Sequence, residues 1–236
     1  MRYIGGKHRI AKQLAASILP HLRGRQLVEP FCGGLSATVA LQPQEASDAS
    51  DPLIRLILAV REGWEPDASA ISDKEYRLSR SKPDAEMSLQ DIFRCLCCSF
   101  GGKWKGGLAR GGNFEPDRDF PKQGKNSLLR KVRATMDVRF SCKDYRDYEP
   151  SSDNVFYCDP PYKGVTNGYS TGPFDSDAFW DWAKWAGNQG ALLFVSEFGG
   201  PTWAEVHAEF VSKTDLIKKS GNQGTIEKLF AVGELP

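Results

Sequence analysis

The residues with the clearest chemical capacity stand in a row at Asp159, Pro160, Pro161 and Tyr162. The two prolines fix φ and lack an N–H donor, so the local backbone presents carbonyl oxygens beside the Asp159 carboxylate. Tyr162 adds a flat aromatic face. An exocyclic amino group on a planar base fits such a cluster, because it offers N–H donors in the ring plane and a π-face above that plane.

The segment before this tetrapeptide predicts how it is positioned. Residues 154–158 form a short run of mainly β-branched and aromatic side chains, typical of a strand in a parallel sheet that is covered on both faces. Pro160 cannot donate to a sheet, so the strand is expected to end near Asp159. Open α/β sheets bind ligands at the carboxyl ends of their strands, which favours a site here. A proline-rich turn whose acid only caps the next helix is the simpler alternative.

Two glycine turns are further candidates. Gly5-Gly6 precedes Lys7 and an amphipathic helical pattern, so the backbone can approach a ligand closely and Lys7 can reach a carboxylate or phosphate. Residues 26–29 predict a strand, 30–34 a tight turn and 35–41 a helix. This is the first βα unit of a nucleotide-binding fold, although a glycine turn alone is also explained by steric need.

A carboxylate about 20 residues beyond such a turn can hold a ribose diol. Asp48 and Asp51 compete for that role, since both follow the predicted second strand. Asp51 stands before Pro52 at the start of an apolar helical pattern, so helix capping explains it. From the residues alone both stay candidates.

Together these motifs resemble those of the Dam-type (D12 class) DNA N6-adenine methyltransferase family. Asp159 to Tyr162 is similar to its catalytic motif, and Glu29-Pro30-Phe31-Cys32-Gly33 is similar to its cofactor motif. The resemblance implies an α/β, Rossmann-like S-adenosylmethionine-dependent methyltransferase fold with a seven-stranded mixed sheet and an inserted, mainly helical DNA-recognition domain. It implies S-adenosyl-L-methionine as the methyl donor and no metal. Asp159, Pro160 and Tyr162 are the catalytic residues it implies.

The resemblance also implies the residues that contact the methyl donor. They are Tyr3, Lys7, Glu29, Pro30, Phe31, Gly33, Asp48, Asp144, Tyr145 and Asp159. Asp144 and Tyr145 correspond to the family's pair at the donor's adenine, although a polar loop explains them equally well. The chain departs from the family pattern at Tyr3, where Trp is frequent, at Leu35, where a second Gly is usual, and at Ser50, where Asn is usual.

A basic segment points to nucleic acid. Residues 101–133 hold nine Lys or Arg against three acidic residues, whereas the whole chain has a net charge of only +1. Cations that meet phosphate, close-approaching glycines and aromatic rings that stack are typical of a DNA-binding surface. A solvated lysine-rich face is the alternative. The candidate DNA-binding residues are Lys103, Trp104, Lys105, Arg110 and Asn113, with Phe114 as a second stacking ring.

The remaining patterns complete the expected domain organisation. Residues 1–63 and 134–236 form the catalytic and cofactor-binding core, and 64–133 form the target-recognition insertion. A loop over 164–173 is expected to cover a flipped base. Helices are predicted over 73–79, 88–99, 127–136 and 175–186, strands over 136–140 and 191–195, and a closing hairpin over 211–217 and 226–232.

Composition bounds the setting of the protein. The six cysteines form no pair of CxxC units and there are only three histidines, which favours reduced thiols over zinc or disulfides. No secretory or membrane-length apolar run occurs, so we expect a protein of the cytoplasm of a prokaryotic or phage-infected cell, with no membrane and no obligate protein partner.

The expected function is methyl transfer from S-adenosylmethionine to adenine N6 in a specific double-stranded DNA sequence, with base flipping. Two other classes of function stay open at this point. The enzyme could act on another planar amino group, in cytosine, RNA or a protein glutamine. The chain could also be a DNA-binding relative without catalytic activity, an alternative that Leu35 keeps open.

Overall fold

A computed structural model describes residues 1, 3–111, 117–164, 168–212 and 225–236. Its seven strands form one sheet: β1 Gln26–Glu29, β2 Glu45–Asp48, β3 Arg139–Cys142, β4 Asn154–Cys158, β5 Leu192–Glu197, β6 Glu205–Ser212 and β7 Thr225–Val232. The order is β3-β2-β1-β4-β5-β7-β6, with β7 antiparallel to both of its neighbours. The predicted seven-stranded mixed sheet is confirmed.

Seven α-helices accompany the sheet in the described part of the chain. They are α1 Ala11–Ile18, α2 Ser36–Leu41, α3 Asp51–Arg61, α4 Asp73–Ser81, α5 Leu89–Cys97, α6 Phe120–Arg133 and α7 Ser176–Asn188. None of them is long and apolar enough to cross a membrane.

The central strand β4 explains why both faces of the sheet are covered. Val155 and Tyr157 point to one side and pack with α1 and α2, whereas Phe156 and Cys158 point to the other and pack with α7. This alternation is the period-two geometry of a strand, and all four side chains are at most 1% exposed. The apolar run that predicted β4 is therefore the core of the molecule.

The sheet also fixes where a ligand can bind. β1 pairs in parallel with β2 on one side and with β4 on the other, and β4 continues the sheet to β5. The chain thus leaves β1 and β4 in opposite directions, which opens a crevice at their carboxyl ends. Both predicted ligand motifs, the turn after β1 and the tetrapeptide after β4, lie at this crevice.

The insertion between β2 and β3 shares a core with the sheet. Phe93 of α5 and Leu128 of α6 are fully buried in one cluster with Leu53 and Ile57 of α3. Capping boxes begin α4 at Ser72 and α5 at Ser88, which supports the helical character expected for the insertion.

Several element boundaries differ from the predictions. The strand expected over 136–140 is Arg139–Cys142, because residues 134–138 form turns after α6. Helix α6 begins at Phe120, seven residues before the predicted start, because Asp119 caps it and Pro121 fits its first turn. The hairpin strand expected over 211–217 is Glu205–Ser212, and residues 213–217 lie outside the described part of the chain.

The shared core predicts that the insertion and the sheet unfold together. Leu128→Ala leaves a cavity in this core and should lower the free energy of unfolding by about 2–5 kcal/mol. Leu78→Ala is the matched control, since Leu78 also belongs to the insertion but is 57% exposed. Denaturant unfolding monitored by circular dichroism and tryptophan fluorescence is the measurement. A separate transition that alone responds to Leu128→Ala would contradict a shared core.

Candidate active site

Each of the five parallel strands has a carboxylate at or just beyond its carboxyl end. Glu29 ends β1, Asp48 ends β2, Asp144 follows β3, Asp159 follows β4 and Glu197 ends β5. Parallel strands present these ends at one edge of the sheet, so the acids converge there. The edge is therefore built to meet a ligand that carries positive charge or N–H donors.

A cavity of about 260 Å³ opens at this edge. All ten predicted donor-binding residues line it, namely Tyr3, Lys7, Glu29, Pro30, Phe31, Gly33, Asp48, Asp144, Tyr145 and Asp159. The segment after the tetrapeptide adds Tyr169, Thr171, Pro173, Phe174 and Asp175. Residues 165–167 of the predicted covering loop lie outside the described part of the chain.

Asp48 shapes the glycine turn after β1. One carboxylate oxygen accepts the Gly33 N–H at 3.0 Å, and the other accepts the Ser50 N–H at 3.0 Å. Burial raises the pKa of Asp48 to about 6. Asp51 instead lies outside the cavity with its side chain 61% exposed. The expected capping role of Asp51 is wrong, because the Ser50 hydroxyl accepts the Leu53 N–H and caps α3.

Tyr3 packs against the glycine turn after β1, and Lys131 donates hydrogen bonds to it. The Tyr3 side chain lies so close that a Cβ on Gly34 would meet the Tyr3 Cβ at 2.5 Å, which excludes any larger residue there. The Lys131 ammonium of α6 donates to the Gly34 carbonyl at 2.5 Å and to the Ser36 hydroxyl at 2.8 Å. The insertion thus supports the glycine turn after β1 directly.

Leu35 occupies the position where a second glycine was expected. Its backbone has φ 59° and ψ 22°, the left-handed region, and its side chain is fully buried away from the cavity. The turn therefore keeps a backbone conformation that glycine adopts without strain, at a conformational cost of about 1–2 kcal/mol. Burial of the leucine side chain offsets that cost.

Asp159 lies in a network of buried charges. The Lys7 ammonium is 2.7 Å from the Asp159 carboxylate and 3.4 Å from that of Glu227 on β7. Burial raises the pKa of Asp159 to about 6, with Lys7 acting in the opposite direction. The Tyr162 hydroxyl donates to Glu227 at 2.9 Å, and Lys7 lies 4.7 Å from the centre of the Tyr162 ring.

Aromatic side chains form one wall of the cavity. The rings of Phe31 and Tyr145 stack with centres 5.6 Å apart, and Phe174 packs against both. Asp144 caps the short helical turn Tyr145–Asp147 and binds the Arg146 guanidinium at 2.7 Å. Asp144 and Tyr145 thus line the cavity as a carboxylate beside a flat aromatic face. Their contact with the donor's adenine stays a prediction.

The other predicted residues that the structure describes do not line this cavity. Pro160 is buried, and Pro161 lines the cavity instead. Trp104 is partly buried against the core that α3, α5 and α6 share. Lys105 forms an ion pair with Asp84 at 2.7 Å. Arg110 forms an ion pair with Asp73, and Lys103 is exposed. Asn113 and Phe114 lie outside the described residues.

Three site residues were not predicted, namely Glu227, Glu197 and Tyr169. Glu227 is 7% exposed and belongs to a strand far along the chain, so only its pairing in space reveals it. Glu197 follows the strand predicted over 191–195 by two residues, which is a usable signal. It accepts the N–H groups of Lys163 and Phe198, and burial raises its pKa to about 7. In the described residues no group of three or more His, Cys, Asp or Glu could hold a metal.

The sequence matches a known family. A family model described as D12 class N6 adenine-specific DNA methyltransferase matches residues 3–84 and 113–232. The chain belongs to this family of adenine-specific, S-adenosylmethionine-dependent DNA methyltransferases. It is 22% identical over 207 residues to the type II methyltransferase M.FokI of Planomicrobium okeanokoites. The matched region covers 78% of this chain and 31% of that protein. The chain thus spans about a third of that relative's length.

Solved structures show a more distant likeness. The chain of yhhF from Escherichia coli is 13% identical with a TM-score of 0.37, covering 99% of this chain and 98% of that chain. SMU.472, solved in complex with SAH, is 12% identical with a TM-score of 0.37, covering 96% of this chain and 54% of that chain. At these scores the likeness adds nothing to the family assignment.

The residues of the cavity fit S-adenosylmethionine, a ligand with a sulfonium and an ammonium. Among the described lining residues, five are acidic and two are basic. The Glu29 Oε2 atom is buried and has no hydrogen-bond partner in the described part of the chain, and burial raises the pKa of Glu29 well above its usual range. A cationic or N–H-bearing ligand would relieve that cost.

The contrast between Asp48 and Asp51 gives a direct test of the site. Asp48→Ala should weaken binding of S-adenosylmethionine and of its demethylated product alike, by about 1–3 kcal/mol for one charge-assisted contact. Asp51→Ala is the control and should leave both affinities unchanged, since Asp51 lies outside the cavity. Calorimetric titration measures them. Equal effects of the two variants would remove Asp48 from the ribose role.

Proposed function

We propose that this protein methylates the N6 amino group of adenine in a specific double-stranded DNA sequence, and that the adenine is flipped out of the helix to reach Asp159. The position of Asp159 carries the proposal. Its carboxylate lies at the wall of the cofactor cavity, directly after a central strand, beside two prolines and an aromatic ring. That arrangement supports the transfer of a methyl group to a planar amino group.

The chemical difficulty is the weak nucleophile. The lone pair of an adenine amino group is delocalised into the ring, so the enzyme must favour a more tetrahedral nitrogen. The Asp159 carboxylate and the Pro160 carbonyl accept the two N–H bonds in this proposal, and the carboxylate stabilises positive charge as it develops on nitrogen. S-adenosylmethionine supplies the electrophilic methyl group when bound. Adenine follows from the family, which favours it over cytosine, RNA or glutamine.

The charge state of Asp159 suits this role. A pKa of about 6 leaves the carboxylate ionised near neutral pH and still basic enough to accept a proton. The Lys7 ammonium at 2.7 Å favours the ionised form, and burial opposes it. Both effects are needed, because a fully exposed carboxylate would be a weaker base and an unpaired buried one would be protonated.

Tyr162 is assigned to the flipped base. Extrusion of a base costs a few kcal/mol, which stacking on an aromatic ring offsets in part. The Tyr162 ring is held edge-on against Phe198, with ring centres 4.8 Å apart, and by its hydroxyl bond to Glu227. Phe198 is itself 42% exposed, so this aromatic pair extends from the buried network to the surface.

The conformation of Leu35 supports an active enzyme over a DNA-binding relative without catalysis. Leu35 reproduces the left-handed backbone that a glycine would adopt, and its side chain does not enter the cavity. The donor site is therefore compatible with this departure from the family pattern.

The insertion is assigned to double-stranded DNA. Among its predicted contacts, Lys103 is exposed on a short loop that is hydrogen-bonded to the segment after the tetrapeptide, since Trp104 N–H donates to the Gly168 carbonyl at 2.7 Å. Lys105 is instead held inside the insertion by Asp84 and by the Lys82 carbonyl at 2.5 Å. We therefore assign the first phosphate contact to Lys103 and a mainly structural role to Lys105.

Removal of the central carboxylate tests the reaction. Asp159→Ala should lower the single-turnover rate of methyl transfer to duplex DNA by at least about 100-fold, since both the acceptor and the stabilising charge are lost. Circular dichroism should show an intact fold. Transfer of labelled methyl to adenine, identified by mass spectrometry of the nucleosides, is the measurement. A variant that keeps a tenth of the wild-type rate would exclude Asp159 from the chemistry.

Salt dependence tests the assignment to DNA. Lys103→Ala should weaken duplex binding and reduce the slope of log K against log salt by about one unit, as expected for one lost phosphate contact. Cofactor affinity should not change. Lys184→Ala on α7 is the control, an exposed lysine outside the insertion. Equal slopes for wild type and both variants, measured by fluorescence anisotropy, would contradict the phosphate role of Lys103.

A further inference from the structure

Glu227 is a buried carboxylate with two functional neighbours. It lies on β7 on the same face as Leu229 and Ala231, which pack in the core with α1. Its carboxylate stands 3.4 Å from the Lys7 ammonium and accepts the Tyr162 hydroxyl at 2.9 Å. One side chain therefore contacts both groups that flank Asp159.

Burial of a second acid beside Asp159 is costly. An apolar residue at position 227 would extend the stripe of Leu229 and Ala231 without a desolvation cost, whereas a buried charge needs a partner. Glu227 finds that partner in Lys7, which Asp159 already holds at 2.7 Å. One ammonium thus serves two carboxylates, and the three groups together keep a formal charge of −1.

We propose that Glu227 is a positioning residue for methyl transfer. Through the shared Lys7 ammonium it keeps the Asp159 carboxylate basic, and through the Tyr162 hydroxyl it fixes the ring that stacks on the base. This inference rests on the proposed function. In the reaction the N6–methyl bond forms as the methyl–sulfur bond breaks, leaving a neutral thioether. The N–H electron pair stays on nitrogen and the proton passes to Asp159.

The charges around Asp159 agree with this role. Lys7 faces it from the N-terminal segment, Glu29 from β1, Glu197 from β5 and Glu227 from β7. Lys7 lowers the pKa of Asp159, and the negative charge of Glu227 raises it. The remaining titratable neighbours are the phenols Tyr3, Tyr157, Tyr162 and Tyr169 and the Cys158 thiol, whose pKa values lie above their usual ranges, so they stay neutral.

Loss of the Glu227 charge should shift the pKa of Asp159 in a predictable direction. Glu227→Gln removes a like charge near Asp159 and leaves Lys7 to Asp159 alone, and both changes lower the pKa of Asp159. The amide oxygen can still accept the Tyr162 hydroxyl, so the ring keeps its support. Since the reaction needs ionised Asp159, the acid limb of the rate profile should move to lower pH.

The first experiment titrates Asp159 directly, in the full chain without DNA. Carboxyl-labelled aspartate is followed by ¹³C NMR, and the Asp159 resonance is assigned by its absence in Asp159→Asn. We expect the pKa of Asp159 to fall by at least about half a unit in Glu227→Gln. Glu209→Gln on neighbouring β6 is the matched control, because Glu209 is 51% exposed. An unchanged pKa in Glu227→Gln would overturn the inference.

The second experiment measures single-turnover methyl transfer to duplex DNA against pH. In Glu227→Gln the acid limb should shift down with the pKa, and the plateau rate should fall by about twofold to threefold for a half-unit shift, because Asp159 becomes a weaker base. Tyr162→Phe keeps both charges, so it should lower the plateau without moving the limb downward. An equal downward shift in Tyr162→Phe would overturn the charge role.

The two experiments separate the inference from the proposed function. A lowered Asp159 pKa in Glu227→Gln, together with wild-type protein that does not methylate adenine, would refute the proposed function and leave the charge network intact. Wild-type protein that methylates adenine, with Glu227→Gln like wild type in both measurements, would refute the role of Glu227 alone.

Discussion

The ion pair between the buried Lys7 ammonium and Asp159 is the interaction on which the acidic edge of the sheet depends. Parallel strands bring carboxylates together at one edge of the sheet, and like charges in a poorly solvated crevice raise one another's pKa. Lys7 lies 2.7 Å from Asp159 and is 5% exposed, so its charge is little screened by water. Without it, Asp159 would be expected to hold a proton at neutral pH and to lose its value as an acceptor. The glycines before Lys7 let the chain bring this ammonium to the strand ends.

The cofactor turn shows how a departure from a family pattern can be tolerated. Leu35 adopts a left-handed backbone at a position where glycine was expected, and the cost is offset because its side chain is fully buried in the core. Asp48 holds the turn from one side through the Gly33 N–H, and Lys131 holds it from the other through the Gly34 carbonyl. The conformation of the turn is therefore determined by its surroundings as well as by its glycines.

The sequence predicted well what depends on local patterns. The strand Asn154–Cys158, the turn after β1 and the carboxylates at strand ends follow from short runs of residues, and the structure brings the donor-binding candidates around one cavity. What it missed depends on distant pairing. Glu227 meets Lys7 across 220 positions, and neither residue signals the other. The start of α6 was missed because Pro121 reads as a helix breaker unless Asp119 is recognised as the cap.

The structure also changes what the insertion means for the mechanism. A separate recognition domain would have no contact with the cavity, but here hydrogen bonds join the insertion to the segments around it. Gly102 accepts the Ile4 N–H at 3.3 Å, Trp104 N–H reaches the Gly168 carbonyl, and Lys131 of α6 supports the cofactor turn. Each such bond contributes about 1 kcal/mol. The loop that carries Lys103 is thus hydrogen-bonded to Ile4, which lines the cavity, and to Gly168, next to the lining residue Tyr169. Displacement of this loop would therefore break hydrogen bonds to both the N-terminal segment and the segment after the tetrapeptide.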